Sequence, residues 1–440
     1  MESAPRARQT APGAAYLDCS VSRHRVTPSQ VHVVGAGLAG LSAAVRLASR
    51  GLAVTVHEAT NQAGGRCRSY YDATLGMEID NGNHLVLSGN KAALSYLDMI
   101  GARGGLTAPP SANFPFIDLA TGERWTVRAN DGILPWWILD PTRRVPGAHL
   151  REYLALAKLL RAKAGATIGE TISCSGPLYL RLIEPLLTSA LNTEARSGSA
   201  ALAAAIIRET LAAGGRNYRP LIAHRGLSNV FVEPALQYIA DHGGSVNFGR
   251  RLRQLALDAD RVAALDFGDA SIQLTSDDAV VLAVPPTAAG SLVPELTTPS
   301  EFRAIVNAHF RIDPPEGLAP MIGVVNGLTQ WLFAFPERLS VTISAADDLL
   351  DLSRDDLARR IWNEVAVIAN LSDAMPAWQI VRERRATFAA LPREDAKRPV
   401  TETSWENLVL AGDWTRTGLP ATIEGAIRSG AIAAEILAPL

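Results

Sequence analysis

The chain has 440 residues and a formal net charge of −2 at pH 7, a length that suits two or three domains and a charge that gives no reason to expect nucleic-acid binding. No run reaches the roughly 18 uncharged apolar residues of a membrane-spanning helix, which indicates a soluble protein or one that lies on a membrane surface. Cys19, Cys67 and Cys174 form no C-x-x-C pair and are too few for a disulfide framework, so we expect a reducing cytoplasm. The histidines show no metal-ligand spacing, and we predict no metal site.

Residues 1–29 are predicted to be a disordered leader. They place Arg6, Arg8, Arg23 and Arg25 among Ser, Pro and Ala. The segment lacks the apolar core of a secretory signal peptide. A role in organelle targeting is the alternative.

The stretch Val31–Glu58 predicts a strand, a glycine turn, a helix and a second strand. Its turn carries G-x-G-x-x-G with Gly35, Gly37 and Gly40. The first glycine makes the tight turn, the second lets a pyrophosphate approach the backbone, and the third lets helix and strand pack closely. Glu58, at the end of the second strand, can accept hydrogen bonds from a ribose. The pattern predicts a dinucleotide site, and a glycine-rich turn that merely packs tightly is the alternative.

The segment after this unit offers a second close approach and positive charge. Gly64 and Gly65 let backbone press against a ligand, and Arg66 and Arg68 can neutralise a pyrophosphate or an anionic substrate. A solvated basic loop is the alternative, which the position directly after a dinucleotide-binding unit disfavours.

A polar cluster at residues 78–84 lies between apolar runs, as is typical of a strand end that enters a pocket. It contains Asp80 and His84. Histidine titrates near neutral pH and a carboxylate can orient its ring, so the pair suits general acid catalysis. A buried, hydrogen-bonded structural cluster explains the spacing equally well.

Adjacent tryptophans precede a basic stretch. Trp136 and Trp137 are followed by a predicted helix over Leu150–Ala164, which carries two arginines and two lysines among Leu and Ala. Aromatic anchors beside a basic amphipathic helix can sit at a lipid interface. An ordinary surface helix with a tryptophan pair in the core is the alternative.

The middle of the chain predicts alternating helices and strands. Helices are expected at Tyr179–Leu191, Ala200–Ala213 and Arg354–Leu371, and strands at Ser245–Phe248, Arg250–Leu257, Val262–Phe267, Ser271–Thr275, Asp278–Val284, Gly323–Phe335, Leu339–Ser344 and Trp378–Phe388. His309 lies in an apolar setting, where a satisfied core histidine is more common than a catalytic one. Trp331, Phe333 and Phe335 can wall a pocket.

The C-terminal stretch is a second anchor for a cofactor. A short apolar strand at Asn407–Ala411 is followed by Gly412 and Asp413, and a helix is predicted over Thr422–Ile436. Asp413 can accept hydrogen bonds from a sugar or ribityl hydroxyl, and the helix N-terminus suits the negative charge of a reduced flavin. A cofactor that spans both chain ends must be long, which favours FAD over NAD.

These stretches resemble the FAD-dependent amine-oxidase and carotenoid-desaturase superfamily. The resemblance rests on VVGAGLAGLSAA with VHEA, on AGGR, and on NLVLAGDWTRTGLPATIEGAIRSG. Within it, the chain is most similar to the hydroxysqualene dehydroxylases, also described as squalene-associated FAD-dependent desaturases, on DNGNHLVLSG, LTQWLF and AGDWTRTGLPATIEGA. Asn83 departs from the glutamine expected there, and residues 225–227 also deviate, so no function is carried onto that loop.

The resemblance implies an α/β fold: a discontinuous Rossmann-like FAD-binding domain with an inserted α+β substrate domain of mixed sheet and helices. The FAD-binding domain would take residues 30–100, 215–290 and 396–440, and the substrate domain residues 101–214 and 291–395. Phosphates would lie at Gly35, Gly37, Gly40, Gly65 and Arg66, ribose at Glu58, adenine near Leu252, the ribityl–pyrophosphate end at Gly412 and Asp413, and the flavin ring over Ile423. No cysteine follows Cys174, so we predict non-covalent FAD.

The reaction implied by the resemblance converts hydroxysqualene to squalene with reduced flavin. An acid must protonate the allylic hydroxyl as its C–O bond breaks, and hydride then reaches the allylic carbon. We predict His84 as this acid, oriented by Asp80, with His309 as the second candidate. Because the chain shows one dinucleotide fingerprint and no redox C-x-x-C, the electrons come from an external donor or from NAD(P)H without a dedicated domain.

Three alternatives stay open at this point. A carotenoid or phytoene-type desaturase would run the flavin in the oxidative direction, and an amine oxidase would need a smaller polar cage. A non-enzymatic binder of prenylated proteins would lack the flavin-end motif, which is intact here. A squalene-like isoprenoid lipid enters from a bilayer, so we expect peripheral contact with the inner face of the cytoplasmic membrane.

Overall fold

The computed structural model describes residues 27–109 and 111–439. The predicted leader therefore lies almost entirely outside the described residues. The α-helices are α1 (Leu38–Ser49), α2 (Lys91–Met99), α3 (Leu154–Leu159), α4 (Ile168–Thr171), α5 (Glu184–Leu191), α6 (Ala200–Glu209), α7 (Glu233–Asp241), α8 (Pro286–Leu292), α9 (Arg354–Ala369), α10 (Pro392–Asp395) and α11 (Ile423–Leu437).

The strands are short apart from two that pair at one edge of the larger sheet. They are β1 (Gln30–Val34), β2 (Ala53–His57), β3 (Ser69–Asp72), β4 (Met77–Asp80), β5 (Val86–Leu87), β6 (Asn113–Asp118), β7 (Arg124–Arg128), β8 (Pro220–Leu221), β9 (Ser245–Asn247), β10 (Gln254–Asp258), β11 (Arg261–Asp266), β12 (Ser271–Gln273), β13 (Asp278–Leu282), β14 (Phe302–Arg311), β15 (Met321–Val325), β16 (Trp331–Phe335), β17 (Arg338–Ile343), β18 (Trp378–Phe388) and β19 (Leu408–Leu410).

A five-stranded parallel sheet has the order β19-β13-β1-β2-β9. Its apolar strands are buried on both faces, as parallel sheets require. Side chains such as Val33 and Val281 pack against helices α1 and α11 on one face. Val34 and Leu282 pack on the other face, against the antiparallel meander β10-β11-β12. The sheet is thus assembled from three separated stretches of chain, which brings the N-terminal glycine turn beside the C-terminal strand.

Helices α1 and α11 pack unusually closely against each other where the N-terminal and C-terminal parts of the chain meet. A Cβ atom placed on Gly430 would lie 2.1 Å from the carbonyl oxygen of Ala39. The hydroxyl of Ser42 donates to the carbonyl of Ile427 at 2.8 Å. Only a glycine and a small polar residue let the two helices approach this closely, so the chain ends are held together around the cofactor motifs.

A second, seven-stranded sheet has the order β18-β14-β17-β16-β15-β6-β7 and is antiparallel except at β15-β6. Helix α9 covers one face, where Trp362 packs on Phe310. Residues paired across neighbouring strands point to the same face. The opposite face therefore carries an aromatic half with Phe333 and Phe335, and a polar half that is formed by Asn307, His309, Arg338, Ser340 and Thr342.

Most predicted elements occur near their expected bounds, and the predicted α/β fold class is confirmed. Two predictions were wrong in more than their bounds. The helix expected at Leu150–Ala164 is a 3-10 turn, Leu150–Tyr153, followed by α3, which ends at Leu159. The strand expected at Gly323–Phe335 is two strands, because the chain reverses between Val325 and Trp331 with Asn326 at φ 58°. The predicted domain boundaries stay predictions.

Candidate functional site

The glycine turn after β1 has the geometry of a phosphate-binding loop. A Cβ atom on Gly35, whose φ is +106°, would lie 2.5 Å from the carbonyl oxygen of Ala283. One on Gly40 would lie 1.9 Å from the carbonyl oxygen of Gly35. These two glycines are therefore required for packing the turn against the sheet, independently of any ligand.

Gly37 differs from its neighbours because its missing side chain leaves open space. A Cβ atom on Gly37 would meet nothing within 4 Å, and one on Gly65 would meet only the Cα of Gly37, at 3.4 Å. Gly37 also caps helix α1, whose first-turn amides lack intrahelical acceptors and whose first turn carries no acidic residue. The space and the free donors fit the pyrophosphate of a dinucleotide such as FAD.

Glu58 lies at the carboxyl end of β2, where its carboxylate folds back onto the glycine turn. Its Oε2 accepts from the backbone N–H of Ala36 at 2.9 Å, and its Oε1 accepts from the backbone N–H of Thr60 at 2.8 Å. The backbone N–H of Arg250 donates to the Glu58 carbonyl at 2.7 Å, which brings the segment containing buried Leu252 to the same end of the sheet. The structure thus brings together the residues predicted for the adenosine half.

Arg66 and Asp413 join the two ends of the chain. The Nη2 atom of Arg66 donates to both carboxylate oxygens of Asp413 at 2.7 Å, and its Nη1 donates to the carbonyl of Ala386. The Arg66 side chain is 43% exposed and the Asp413 side chain 7% exposed. This ion pair therefore places a partly open guanidinium beside the glycine cradle, where it can meet a phosphate.

The C-terminal stretch has the predicted order of a short strand, Gly412 with Asp413, and a helix. Gly412 is tightly constrained, since a Cβ atom there would lie 2.2 Å from Nε1 of Trp414. Thr422 caps helix α11 by accepting from the backbone N–H of Gly425 at 3.0 Å, which makes Ile423 the first helical residue. Helix α11 thus begins shortly after Asp413 in the sequence. Its first turn carries the positive end of the helix dipole, which suits the negative charge of a reduced flavin.

The predicted direct pairing of Asp80 with His84 is replaced by a different network. Asp80 Oδ1 accepts from the hydroxyl of Ser69 at 2.6 Å and from the backbone N–H of Leu227 at 2.8 Å. Its Oδ2 lies 3.8 Å from Nη2 of Arg338, and both side chains are buried. Asp80 is engaged with these three partners, so it acts on His84 through its charge rather than as a hydrogen-bonded orienting group.

The His84 ring is instead hydrogen-bonded to the backbone of the neighbouring loop. Its Nε2 lies 3.1 Å from the carbonyl oxygen of Arg66. Because a carbonyl only accepts, Nε2 carries a hydrogen and the ring gains or loses its acidic proton at Nδ1. Burial lowers the pKa of His84, while the Arg66 carbonyl and the charge of Asp80 oppose the shift. The residue is only half-buried, so a ligand can reach it.

His309 has the surroundings of a core residue. It is fully buried on β14, and its Nδ1 lies 2.7 Å from the hydroxyl of Ser340. Burial, together with the positive charge of Arg338, lowers the pKa of His309 to about 3. At this pKa the fully buried ring stays neutral even well below neutral pH, which does not suit a proton donor.

Four residues at the His84 loop and at the Phe335 ring were not predicted from the sequence. Arg338 is buried with its guanidinium carbon 4.5 Å from the centre of the Phe335 ring, and His224 meets the same ring edge-on. Asn307 and Thr342 contact the loop directly. All four lie far from Asp80 in the chain. For Asn307, Arg338 and Thr342 the available signal was the period-two placement of polar residues along β14 and β17.

The tryptophan pair is divided between core and surface. Trp137 is buried and meets Tyr153 edge-on at 5.6 Å, whereas Trp136 is 63% exposed. Ile133, Leu134 and Leu154 are also strongly exposed. The Trp137–Tyr153 contact joins the two segments that carry these side chains. In the described part of the chain, no helix is long and apolar enough to cross a membrane.

Comparison with known proteins is consistent across sequence and structure. Residues 38–438 match the profile of the family described as flavin containing amine oxidoreductase. The chain is 55% identical to a hydroxysqualene dehydroxylase of Sinorhizobium fredii, over 93% of this chain and 98% of the relative, and 57% identical to one of Rhodopseudomonas palustris, over 92% and 98%. It superposes on cyclohexylamine oxidase from Brevibacterium oxydans with a TM-score of 0.69 at 18% identity, covering 93% of this chain and 98% of the other, which supports the shared fold.

Proposed function

Because this chain belongs to the flavin containing amine oxidoreductases and, among them, to the hydroxysqualene dehydroxylase family, we propose that it reduces hydroxysqualene to squalene. The chain is an FAD-dependent oxidoreductase of that family. The observation that carries the proposal is the 57% identity to a relative of that activity, which extends over 92% of this chain.

Non-covalent FAD fits the residues that the fold brings together. Gly37, Gly65 and the first turn of α1 would hold the pyrophosphate, Glu58 and the Leu252 segment the adenosine, and Asp413 the ribityl chain. Of the described cysteines, Cys67 is buried and its thiol pKa is raised by burial and by Asp80, which disfavours a reactive thiolate. We therefore propose that the cofactor is held by contacts alone.

His84 is proposed to protonate the leaving hydroxyl. Nε2 is occupied by the Arg66 carbonyl, so the transferred proton is on Nδ1. When bound, reduced FAD supplies the hydrogen and the two electrons that replace the hydroxyl group. The C–O bond breaks, the hydroxyl leaves as water with the His84 proton, and a C–H bond takes its place on the allylic carbon. Asp80 favours the protonated ring through its charge.

The aromatic half of the second sheet suits the hydrocarbon part of such a substrate. Trp331, Phe333 and Phe335 alternate along β16 and share one face with the polar half that meets the His84 loop. Aromatic faces stabilise a developing allylic cation, and an apolar wall keeps water from recapturing it. We propose that the hydrocarbon chain lies on this half with its hydroxyl toward His84.

The exposed apolar patch, defined as Ile133, Leu134, Trp136 and Leu154, is proposed to rest on a bilayer. Each of these side chains is more than 60% exposed. Trp136 is exposed in the 3-10 turn Trp136–Leu139. The basic residues near Leu154 in the sequence are exposed as well: Arg151, Lys158, Arg161 and Lys163. Basic and aromatic side chains together favour an anionic lipid surface, from which an insoluble isoprenoid can enter.

Product analysis tests the proposed reaction. Purified holoenzyme, kept reduced chemically, is given hydroxysqualene in detergent micelles, and the extract is examined for squalene by mass spectrometry. We expect squalene in proportion to enzyme. Oxidised enzyme that desaturates a phytoene-like polyene, with no squalene from the reduced enzyme, would overturn the proposal in favour of a desaturase.

A further inference from the structure

Asn307 contacts the loop that carries His84 although it is remote from that loop in sequence. It lies on β14, is 1% exposed and is paired in register with Thr342 of β17. Its Nδ2 donates to the carbonyl of Asn81 at 3.4 Å, and its Oδ1 accepts from the backbone N–H of Asn83 at 3.4 Å. One amide therefore engages the backbone on both sides of Gly82.

Thr342 completes the contact. Its hydroxyl donates to Asn307 Oδ1 at 2.8 Å and accepts from Nδ2 of Asn83 at 3.0 Å. These bonds form a continuous chain in which each donor has one acceptor. The hydroxyl thus fixes the orientation of the Asn307 amide and holds the Asn83 side chain at the same time.

Gly82 is close to both this amide and the His84 ring. A Cβ atom on Gly82 would be 3.3 Å from Nδ2 of Asn307 and 3.5 Å from Nε2 of His84. The two nitrogens are therefore within about 7 Å of each other, and both lie close to the Cα of Gly82. Asn307 is thus hydrogen-bonded to the loop that carries His84 and lies close to its ring.

We propose that Asn307, supported by Thr342, is a positioning residue for His84: it fixes the Asn81–Asn83 backbone so that Nε2 stays on the Arg66 carbonyl and Nδ1 faces the substrate. The inference rests on the proposed function, in which His84 supplies the proton. A negative charge placed at residue 307 should therefore raise the pKa of His84, because it would act on the ring at short range.

Asn307→Asp tests the electrostatic part. The substitution keeps the shape and the Oδ1 acceptor, replaces the Nδ2 donor to the Asn81 carbonyl by an oxygen, and places a carboxylate near the ring, so the pKa of His84 should rise by about one unit. We would measure it in the holoenzyme by NMR titration of carbon-13-labelled histidine, with the His84 signal assigned by its loss in His84→Gln. The pH midpoint of single-turnover flavin reoxidation should move upward by the same amount. An unmoved midpoint in both measurements would overturn the inference.

Thr342 tests the geometric part and stays informative if Asn307→Asp fails to fold. Thr342→Val removes the hydroxyl without changing the shape and should lower kcat at least tenfold with little change in KM, whereas Thr342→Ser should retain most of kcat. Thr329→Val is the matched control, because the Thr329 hydroxyl is buried but without a partner among the described residues. Equal effects of the valine substitutions at 342 and 329 would show that Thr342 does not position His84.

Failure of the inference and failure of the proposed function give different results. If His84→Gln leaves the rate and its pH profile unchanged, His84 is not the acid and Asn307 has nothing to position. If His84→Gln abolishes the pH-dependent rate but neither Asn307→Asp nor Thr342→Val changes it, the proposed function stands and the inference alone is contradicted.

Discussion

Among the described residues, the ring of His84 has one hydrogen-bond partner: Nε2 donates to the Arg66 carbonyl, and Nδ1 is available to exchange its proton. His84→Gln keeps a donor for that carbonyl and removes the titrating atom. We expect single-turnover reduction of hydroxysqualene to slow at least about a hundredfold, with FAD content unchanged. His242→Gln, at a ring stacked on Tyr238 at the end of α7, is the control and should keep the wild-type rate.

The same residue predicts a pH dependence. Burial lowers the pKa of His84 below its ordinary value, so at neutral pH most rings are unprotonated. A proton donor works only when protonated, and the rate should therefore rise as pH falls from 8 to 6 and level off below the His84 pKa. Stopped-flow measurement of flavin reoxidation in this range checks the sign. A rate that rises with pH would contradict the assignment.

His57 predicts a stability change at a site remote from the reaction. Burial, with the charges of His32 and Arg250, lowers the pKa of His57 to about 4. A ring that must stay neutral in the folded state stabilises fully above about pH 6.5 and loses its contribution as pH falls toward 4. We expect about 2 kcal/mol less unfolding free energy at pH 5 from this residue alone.

Urea unfolding at pH 7 and pH 5 measures this contribution. His57→Gln preserves a partner for Nδ1 of His32, which lies 3.2 Å from Nε2 of His57. The variant should lose less stability between the two pH values than the wild-type protein. Equal losses would show that His57 does not titrate with folding.

At the scale of single elements, the glycine turn separates packing from ligand binding. Gly40→Ala places a Cβ against the Gly35 carbonyl and should prevent folding, whereas Gly37→Ala places one in open space. We expect Gly37→Ala to melt at the temperature of the wild-type apoprotein but to bind FAD at least tenfold more weakly, about 1.4 kcal/mol. Fluorescence titration of the apoprotein with FAD measures the difference; unchanged affinity would place the pyrophosphate elsewhere.

Local elements were predictable where the signal is local. The fingerprint at Gly35, Gly37 and Gly40, the acid at Glu58 and the final helix depend on neighbours in sequence, and the structure brings them together as expected. The strand break at Asn326 was missed because an apolar run continues on both sides of the turn. The helix after Leu150 was overestimated because amphipathic periodicity does not reveal where tertiary packing ends a helix.

At the scale of the whole molecule, the exposed apolar patch predicts membrane binding. Ile133→Ser with Trp136→Ser should reduce flotation with anionic liposomes several-fold, because both side chains are exposed, while the melting temperature stays unchanged. Val367→Ser with Val400→Ser is the matched control, since these residues are also strongly exposed but belong to other parts of the chain. Unchanged flotation of the patch variant would contradict a bilayer contact there. Trp137 is unsuitable for this test because it is buried.

The contacts that could not be predicted join residues that are far apart in the sequence. The contacts of Asp80 with Leu227 and Arg338 depend on how the β3–β4 hairpin, a loop and the second sheet meet, and no spacing in the sequence encodes them. The same holds for Asn307 above Gly82. The sequence indicated that residues 80–84 form a site, while the partners that hold Asp80 and His84 emerged only from the folded chain.

One anaerobic experiment tests whether the reduced enzyme removes the hydroxyl of hydroxysqualene. The bound flavin is reduced with one equivalent of dithionite, hydroxysqualene is added, and flavin absorbance and squalene are followed together. We expect one squalene for each flavin reoxidised, with the hydroxyl released as water. Flavin that stays reduced in the presence of accessible substrate, with no squalene formed, would contradict it.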